Sequence, residues 1–339
     1  MRQNNIFLML LKVFFFSLIL VATSAVRAEL KVVSTIKPLH SLISNVMDGV
    51  GEPALIIEGS TSPHSFTLKP SHAKLLEEAD IIFWVGESIE TFMERPLESI
   101  VKNAEVVEFM EVESINKLKF REESIFEDHD DHDDHDDHDD HDDNDDHDEH
   151  DDHDEHDDHD DHSGHDDHGH AHGEFDSHIW LDPMNAKEMV HEIAHELGDL
   201  DPANKNKYEA NAQATIQALD QLINDIEKGI NKDAKFVVFH DAYQYFEERF
   251  ETRAAGALTL NTDVLPGAKQ IADIQDVIKD RGIKCIFSEP QFNPKIITTI
   301  AEDMNIKTGV FDPLGTNIDS NKDLYFKLIQ NLGNELKGC

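Results

Sequence analysis

The sequence is short of positive charge. Over 339 residues, 29 Lys and Arg stand against 71 Asp and Glu, a net −42 with histidine neutral. That balance argues against a nucleic-acid partner, whose phosphates would be repelled. Cysteine is nearly absent: only Cys285 and Cys339 occur, and neither has a histidine near it in sequence, which argues against a catalytic thiol. After the N-terminal region no segment is apolar for long enough to cross a membrane. The chain as a whole is not disordered, because apolar runs recur on both sides of a strongly acidic block.

That block, residues 128–173, has no Lys, Arg, Val, Leu or Ile, and holds 25 of the acidic residues and 15 of the 22 histidines. The rest of the chain carries 29 basic against 46 acidic residues, a net −17 that is ordinary for an acidic soluble protein. With Ala171 as its one apolar side chain the block cannot offset the entropy of ordering, and like charges three apart oppose a helix. It reads as a disordered loop between two structured parts. A solubilising spacer would need only carboxylates. The interleaved imidazoles favour capture of several divalent ions.

The first 28 residues read as a secretory signal peptide. Arg2 precedes a nearly continuous apolar run over residues 6–21, and Val26 and Ala28 suit a cut before Glu29. An uncleaved anchor is the lesser reading. No cysteine stands at the cut to carry a lipid. Export permits a disulfide, and two cysteines allow a single pairing. It would close about 55 residues and contribute roughly 2–4 kcal/mol. The alternative is two unrelated thiols.

Along the remainder, apolar strand-like runs alternate with amphipathic helical ones. Strands are expected at 30–35, 54–58, 81–85 and 106–109, with helices at 39–47, 71–78 and 89–101. The second half repeats the rhythm, with strands at 236–239, 257–260, 285–288 and 308–311 and helices between and after them. Such alternation means βα units and mostly parallel sheets. Between the halves lie helical stretches at 184–197 and 203–228; the second would run about 39 Å at 1.5 Å per residue. The expected class is α/β: one lobe, a long helix, and another lobe. The boundaries are 29–183, 184–230 for the linking helices, and 231–339.

One familiar pattern lies in the linker. His191-Glu192-Ile193-Ala194-His195 matches H-E-x-x-H inside a predicted helix, where two histidines could hold zinc with Glu192 as general base. No convincing substrate-binding edge strand precedes it, and two histidines on the wet face of an amphipathic helix is the favoured reading.

Four other motifs sit where strands give way to loops. They are Ser62-Pro63-His64-Ser65-Phe66 with prolines on both sides, Asp176-Ser177-His178-Ile179-Trp180-Leu181-Asp182-Pro183, Phe239-His240-Asp241-Ala242-Tyr243, and Phe311-Asp312-Pro313-Leu314-Gly315. Ligands of open α/β lobes bind beyond the carboxyl ends of the strands, so two facing lobes would bring His64 and His178 toward His240 and Asp312. Three imidazoles and a carboxylate make a tetrahedral set suited to zinc. Spacing alone cannot show convergence over some 250 residues.

These motifs, with Ser288-Glu289-Pro290-Gln291, make the chain resemble the zinc-specific solute-binding proteins of bacterial ATP-driven metal importers, in a cluster that also contains manganese-binding lipoproteins and adhesin-like antigens. The resemblance covers essentially the whole chain after the signal segment. It implies two (β/α)₄ lobes joined by a long backbone helix, and one tight Zn²⁺ held by His64, His178, His240 and Asp312. It further implies a Cys285–Cys339 disulfide, a periplasmic monomer, zinc as cargo and a membrane permease as partner, while the His-rich loop's own composition implies additional weak zinc sites there. His240 stands where manganese-type relatives have glutamate, which points to zinc. Pro63 stands where some zinc-type relatives place an acid, so water or Asp312 must complete the shell. Glu289 is read as a group behind the ligands and Asp241 as an orienting neighbour. Two further readings stand beside this one: a zinc metalloprotease built on His191, Glu192 and His195, and a histidine-rich zinc store or buffer.

Overall fold

A computed structural model describes residues 30–126, 174–260, 262 and 265–339. The expected signal segment (1–28) and His-rich loop (128–173) lie outside the described residues. The first half contributes β1 (Val32–Ser34), α1 (Lys37–Val46), β2 (Ala54–Leu55), α2 (Pro70–Glu78), β3 (Ile81–Trp84), α3 (Glu94–Ser99) and β4 (Glu105–Glu108). Then come α4 (Pro183–Leu200) and α5 (Lys205–Glu227). The second half adds β5 (Phe236–His240), α6 (Gln244–Phe250), β6 (Ala257–Thr259), α7 (Ala268–Asp280), β7 (Cys285–Ser288), α8 (Lys295–Met304), β8 (Lys307–Val310) and α9 (Leu324–Leu336).

The strands form two four-stranded sheets, ordered β2-β1-β3-β4 and β6-β5-β7-β8, and every pairing within them is parallel. The second order repeats the first shifted by four. In each sheet the strand order reverses at the first strand, β1 or β5, which opens a crevice beyond its carboxyl end. The central strands β5 and β7 are buried on both faces and read as nearly unbroken apolar runs, whereas the edge strand β8 is largely exposed. Phe236 and Val238 enter the main core, while Val237 and Phe239 enter a second cluster on the opposite face. The main core itself is continuous, running from Val32 through α4 and α5 to Leu336.

The linker comprises two helices, divided where the sequence places the break, and they pack side by side. The chain breaks at Asp201, whose side chain takes bonds from Asn204 and Tyr208, and Pro202 follows. α4 runs through Gly198 without a break, and the glycine lets Lys205 of α5 come close, since a Cβ there would meet that side chain at 3.0 Å. One expectation needs correction: the helix expected at 89–101 is broken. Pro96 has no N–H and crowds the carbonyl four residues back, so α3 begins only at Glu94, after a 3₁₀ turn at Thr91–Met93.

Two segments leave the N-terminal sheet to meet the C-terminal one. Ile125 bridges Gly256 antiparallel beside β6, and Lys119 pairs with Phe175, so residues 119–125 and 175 bracket the acidic block. The two cysteines are joined: the Cys285–Cys339 disulfide ties the start of β7 to the chain end after α9.

Candidate metal centre

Three of the four expected residues meet at the carboxyl ends of the sheets. His240 is the last residue of β5, at the point where strand order reverses. His64 sits in a 3₁₀ turn (Pro63–Ser65) fixed by Pro63 at its start and by Ser62 Oγ, which accepts the His64 N–H at 3.3 Å. His178 precedes another 3₁₀ turn, Ile179–Leu181, whose residues are fully buried. One ring nitrogen from each of the three histidines lies within 4.8 Å of the other two. Ring centroids are 5.0 to 5.7 Å apart.

His178 and His240 are both buried and present Nε2 to Nε2 at 3.3 Å. Their other nitrogens face carboxylates. His178 Nδ1 is 2.6 Å from Asp176 Oδ1, and His240 Nδ1 is 2.8 Å from Glu289 Oε1. A carboxylate only accepts, so Nδ1 carries the proton on each ring and the Nε2 lone pairs are left facing one another. Burial alone would lower the His240 pKa, but the Glu289 charge and hydrogen bond outweigh it and the net shift is upward. Ile89, Trp180, Phe292 and Leu314 complete the apolar wall of this cavity.

Asp312 lies outside the histidine cluster. It folds its own turn, accepting from Leu314 N, Thr316 N, Thr316 Oγ1 and Gln291 Nε2. Glu289 stands directly behind His240, as read from sequence. Asp241 turns away from the metal side. Together with Glu247 it receives Arg121, each at 2.7 Å, and burial pushes its carboxyl up to about 7 against the pull of the guanidinium. Asp176 was not singled out from the sequence; its place two residues before His178 is the only signal that could have marked it. His191 and His195 are exposed on α4, away from the cluster, with His195 against Glu196 and Asp199.

A family model described as "Zinc-uptake complex component A periplasmic" matches residues 32–339. The chain is 50% identical over 310 residues to the high-affinity zinc uptake system protein ZnuA of Brucella abortus (strain 2308), covering 91% of each chain. It is 36% identical over 320 residues to the protein of the same name from Haemophilus influenzae, covering 94% of this chain and 95% of that one. Among solved structures, a crystal structure of ZnuA superposes with a TM-score of 0.67 at 20% identity, covering 90% of this chain and 98% of the other. The laminin-binding protein of Streptococcus agalactiae, described as an adhesin with metal-transporting activity, gives 0.66 at 22% identity, covering 91% and 99%. At such identities the structural likeness speaks for the fold.

Proposed function

Because the chain belongs to the periplasmic zinc-uptake component A family, we propose that it captures zinc in the periplasm and delivers it to an ATP-driven membrane importer. One observation carries the site: His178 Nε2 and His240 Nε2 are 3.3 Å apart, with the Nδ1 of each ring on a carboxylate. With Zn–N bonds of about 2.0–2.1 Å, a tetrahedral centre sets its ligand nitrogens about 3.3–3.4 Å apart. The pair is therefore spaced as an edge of a zinc tetrahedron, and His64 supplies a third corner. The fourth falls to Asp312 or to water.

Three neutral imidazoles and one carboxylate leave a net +1 centre, with His178 and His240 buried. With Asp312 as the fourth ligand the shell is closed and no coordinated water is left as nucleophile, which suits a carrier rather than a hydrolase. In this reading residues 1–28 are removed on export and the mature protein is a monomer. Residues 29–183 and 231–339 are the metal-binding lobes, joined by the helices of 184–230. The partner is the importer's permease, and the histidines of 128–173 take up further ions weakly, because an unstructured tract loses entropy each time it gathers around a metal.

The test is calorimetric. A chain lacking 128–173 should retain one tight zinc-binding event, and His240→Ala in that background should abolish it. Loss of the tight event on deletion, with His240→Ala harmless, would place the site in the block instead.

A further inference from the structure

His178 belongs by sequence to the first half of the chain, yet its surroundings belong to the second. The Asp176 side chain, fully buried, receives the His178 Nδ1–H and the His178 backbone N–H on Oδ1, at 2.6 and 3.0 Å. Its other oxygen accepts Gln244 Nε2 at 2.8 Å. The same amide nitrogen donates to Lys119 O at 3.1 Å, so both of its hydrogens are used. Tyr245, next along α6, donates its hydroxyl to Asp176 O at 2.6 Å and accepts Leu118 N at 2.9 Å. Asp176 N closes the set on Leu118 O at 2.8 Å. Downstream, Trp180 Nε1 donates to Pro313 O, Tyr325 donates to Trp180 O, and Arg249 forks onto Asp182.

We propose that Gln244 and Tyr245 are positioning residues for the metal: acting through Asp176, they set the ring plane and tautomer of His178 and fasten that ligand to α6. The helix starts four residues after His240. His178 and His240 thus form one unit on the C-terminal lobe, and His64 is the ligand brought by the other lobe. The physical reason lies in the carboxylate. Asp176 has no solvent to turn toward, so its orientation is set by what it accepts. Without Gln244, Oδ2 loses its donor, the carboxylate is free to rotate, and the ring bonded to Oδ1 turns with it. A metal tetrahedron tolerates about 0.5 Å of ligand displacement before affinity suffers. Outer partners of metal-bound histidines typically account for 10- to 100-fold in affinity.

The inference rests on the zinc reading above, and its test separates the two. Zinc affinity of the full chain is measured by competition with a chelator strong enough to leave only the tight site occupied. Gln244→Leu should weaken that affinity about tenfold or more, and Tyr245→Phe, a smaller change, should weaken it in the same direction. Nitrogen-15 spectra of the imidazoles should show His178 losing its single Nδ1–H tautomer in Gln244→Leu, while His64 is unchanged. Combined with His64→Ala, Gln244→Leu should keep its full effect; combined with His178→Ala it should add nothing. Unchanged affinity in both single variants would overturn the proposal. So would an equal further loss in the His178→Ala background, the mark of general damage to the fold. A His178→Ala protein that binds zinc as tightly as the wild type would overturn the zinc site itself.

Discussion

At Asp312 sequence and geometry ask different things of one side chain. Its motif suggests a ligand, whereas its two oxygens receive four donors that shape residues 312–316. An Asn there would keep an acceptor for the turn but lose the charge that a zinc bond draws on. Asp312→Asn should therefore separate the two candidates for the fourth corner. A loss of zinc affinity well beyond tenfold would assign the carboxylate, and a smaller loss would assign water. His178→Ala and His240→Ala should cost far more in either case, since each removes a directed lone pair that nothing nearby replaces. The measurement is the same chelator competition.

Among the elements, the loop that follows β3 carries a buried acid. Glu90 is fully enclosed and accepts from Val85 N at 2.7 Å and Gly86 N at 3.3 Å. Burial pushes its carboxyl from 4.5 up to about 7, more than those donors and Thr35 pull it down. A carboxyl whose pKa is raised on folding stabilises the native state most below its unfolded value, and that contribution is lost as pH rises through about 7. Glu90→Gln keeps the acceptor without the charge. It should thus raise unfolding stability at pH 8, by up to about 3 kcal/mol at 1.36 kcal/mol per unit. The gain should vanish toward pH 4.5, as denaturant titrations at both ends can check. The disulfide acts at the opposite end of its strand from the site. Cys285 opens β7, whereas Glu289 follows its last residue, about 13 Å away at 3.3 Å per residue. Cys339→Ser should then cost roughly 2–4 kcal/mol of stability while leaving zinc affinity unchanged.

For the whole molecule, one face of α1 holds the lobes together. Lys37, Ser41 and Asn45 stand four residues apart, and each reaches a carbonyl of the C-terminal half. The buried Lys37 ammonium donates to Gly315 O, Thr316 O and Ile318 O at 2.7 to 3.0 Å, and burial lowers its pKa despite the nearby Asp312 and Asp319 charges. Ser41 and Asn45 both donate to Lys322 O, and Lys322 returns an ion pair to Asp48. With α4 and α5 packed into the same core, the seam leaves little room for a wide hinge. Small-angle scattering of the chain lacking 128–173 should give the same radius of gyration with and without zinc. Compaction on zinc binding, as in a closing hinge, would contradict this rigid frame.

Periodicity and punctuation made much of this legible in advance. Buried parallel strands appear as unbroken apolar runs, so Ile81–Trp84 and Cys285–Ser288 could be placed within a residue. His64 between prolines, His240 at a strand end and His178 in an aromatic segment before Asp182-Pro183 could be singled out as candidates, and the family resemblance, not their spacing, joined them into one ligand set. Only the tertiary structure decided what lies behind them. It laid the two linker helices side by side, turned Asp312 into its own loop, and set Asp176, Gln244 and Tyr245 behind His178. Such partners are 68 or 69 residues apart in the chain. A buried carboxylate meets its distant donor only through the packing of α6 against the segment it holds, and no local periodicity in the sequence encodes that meeting.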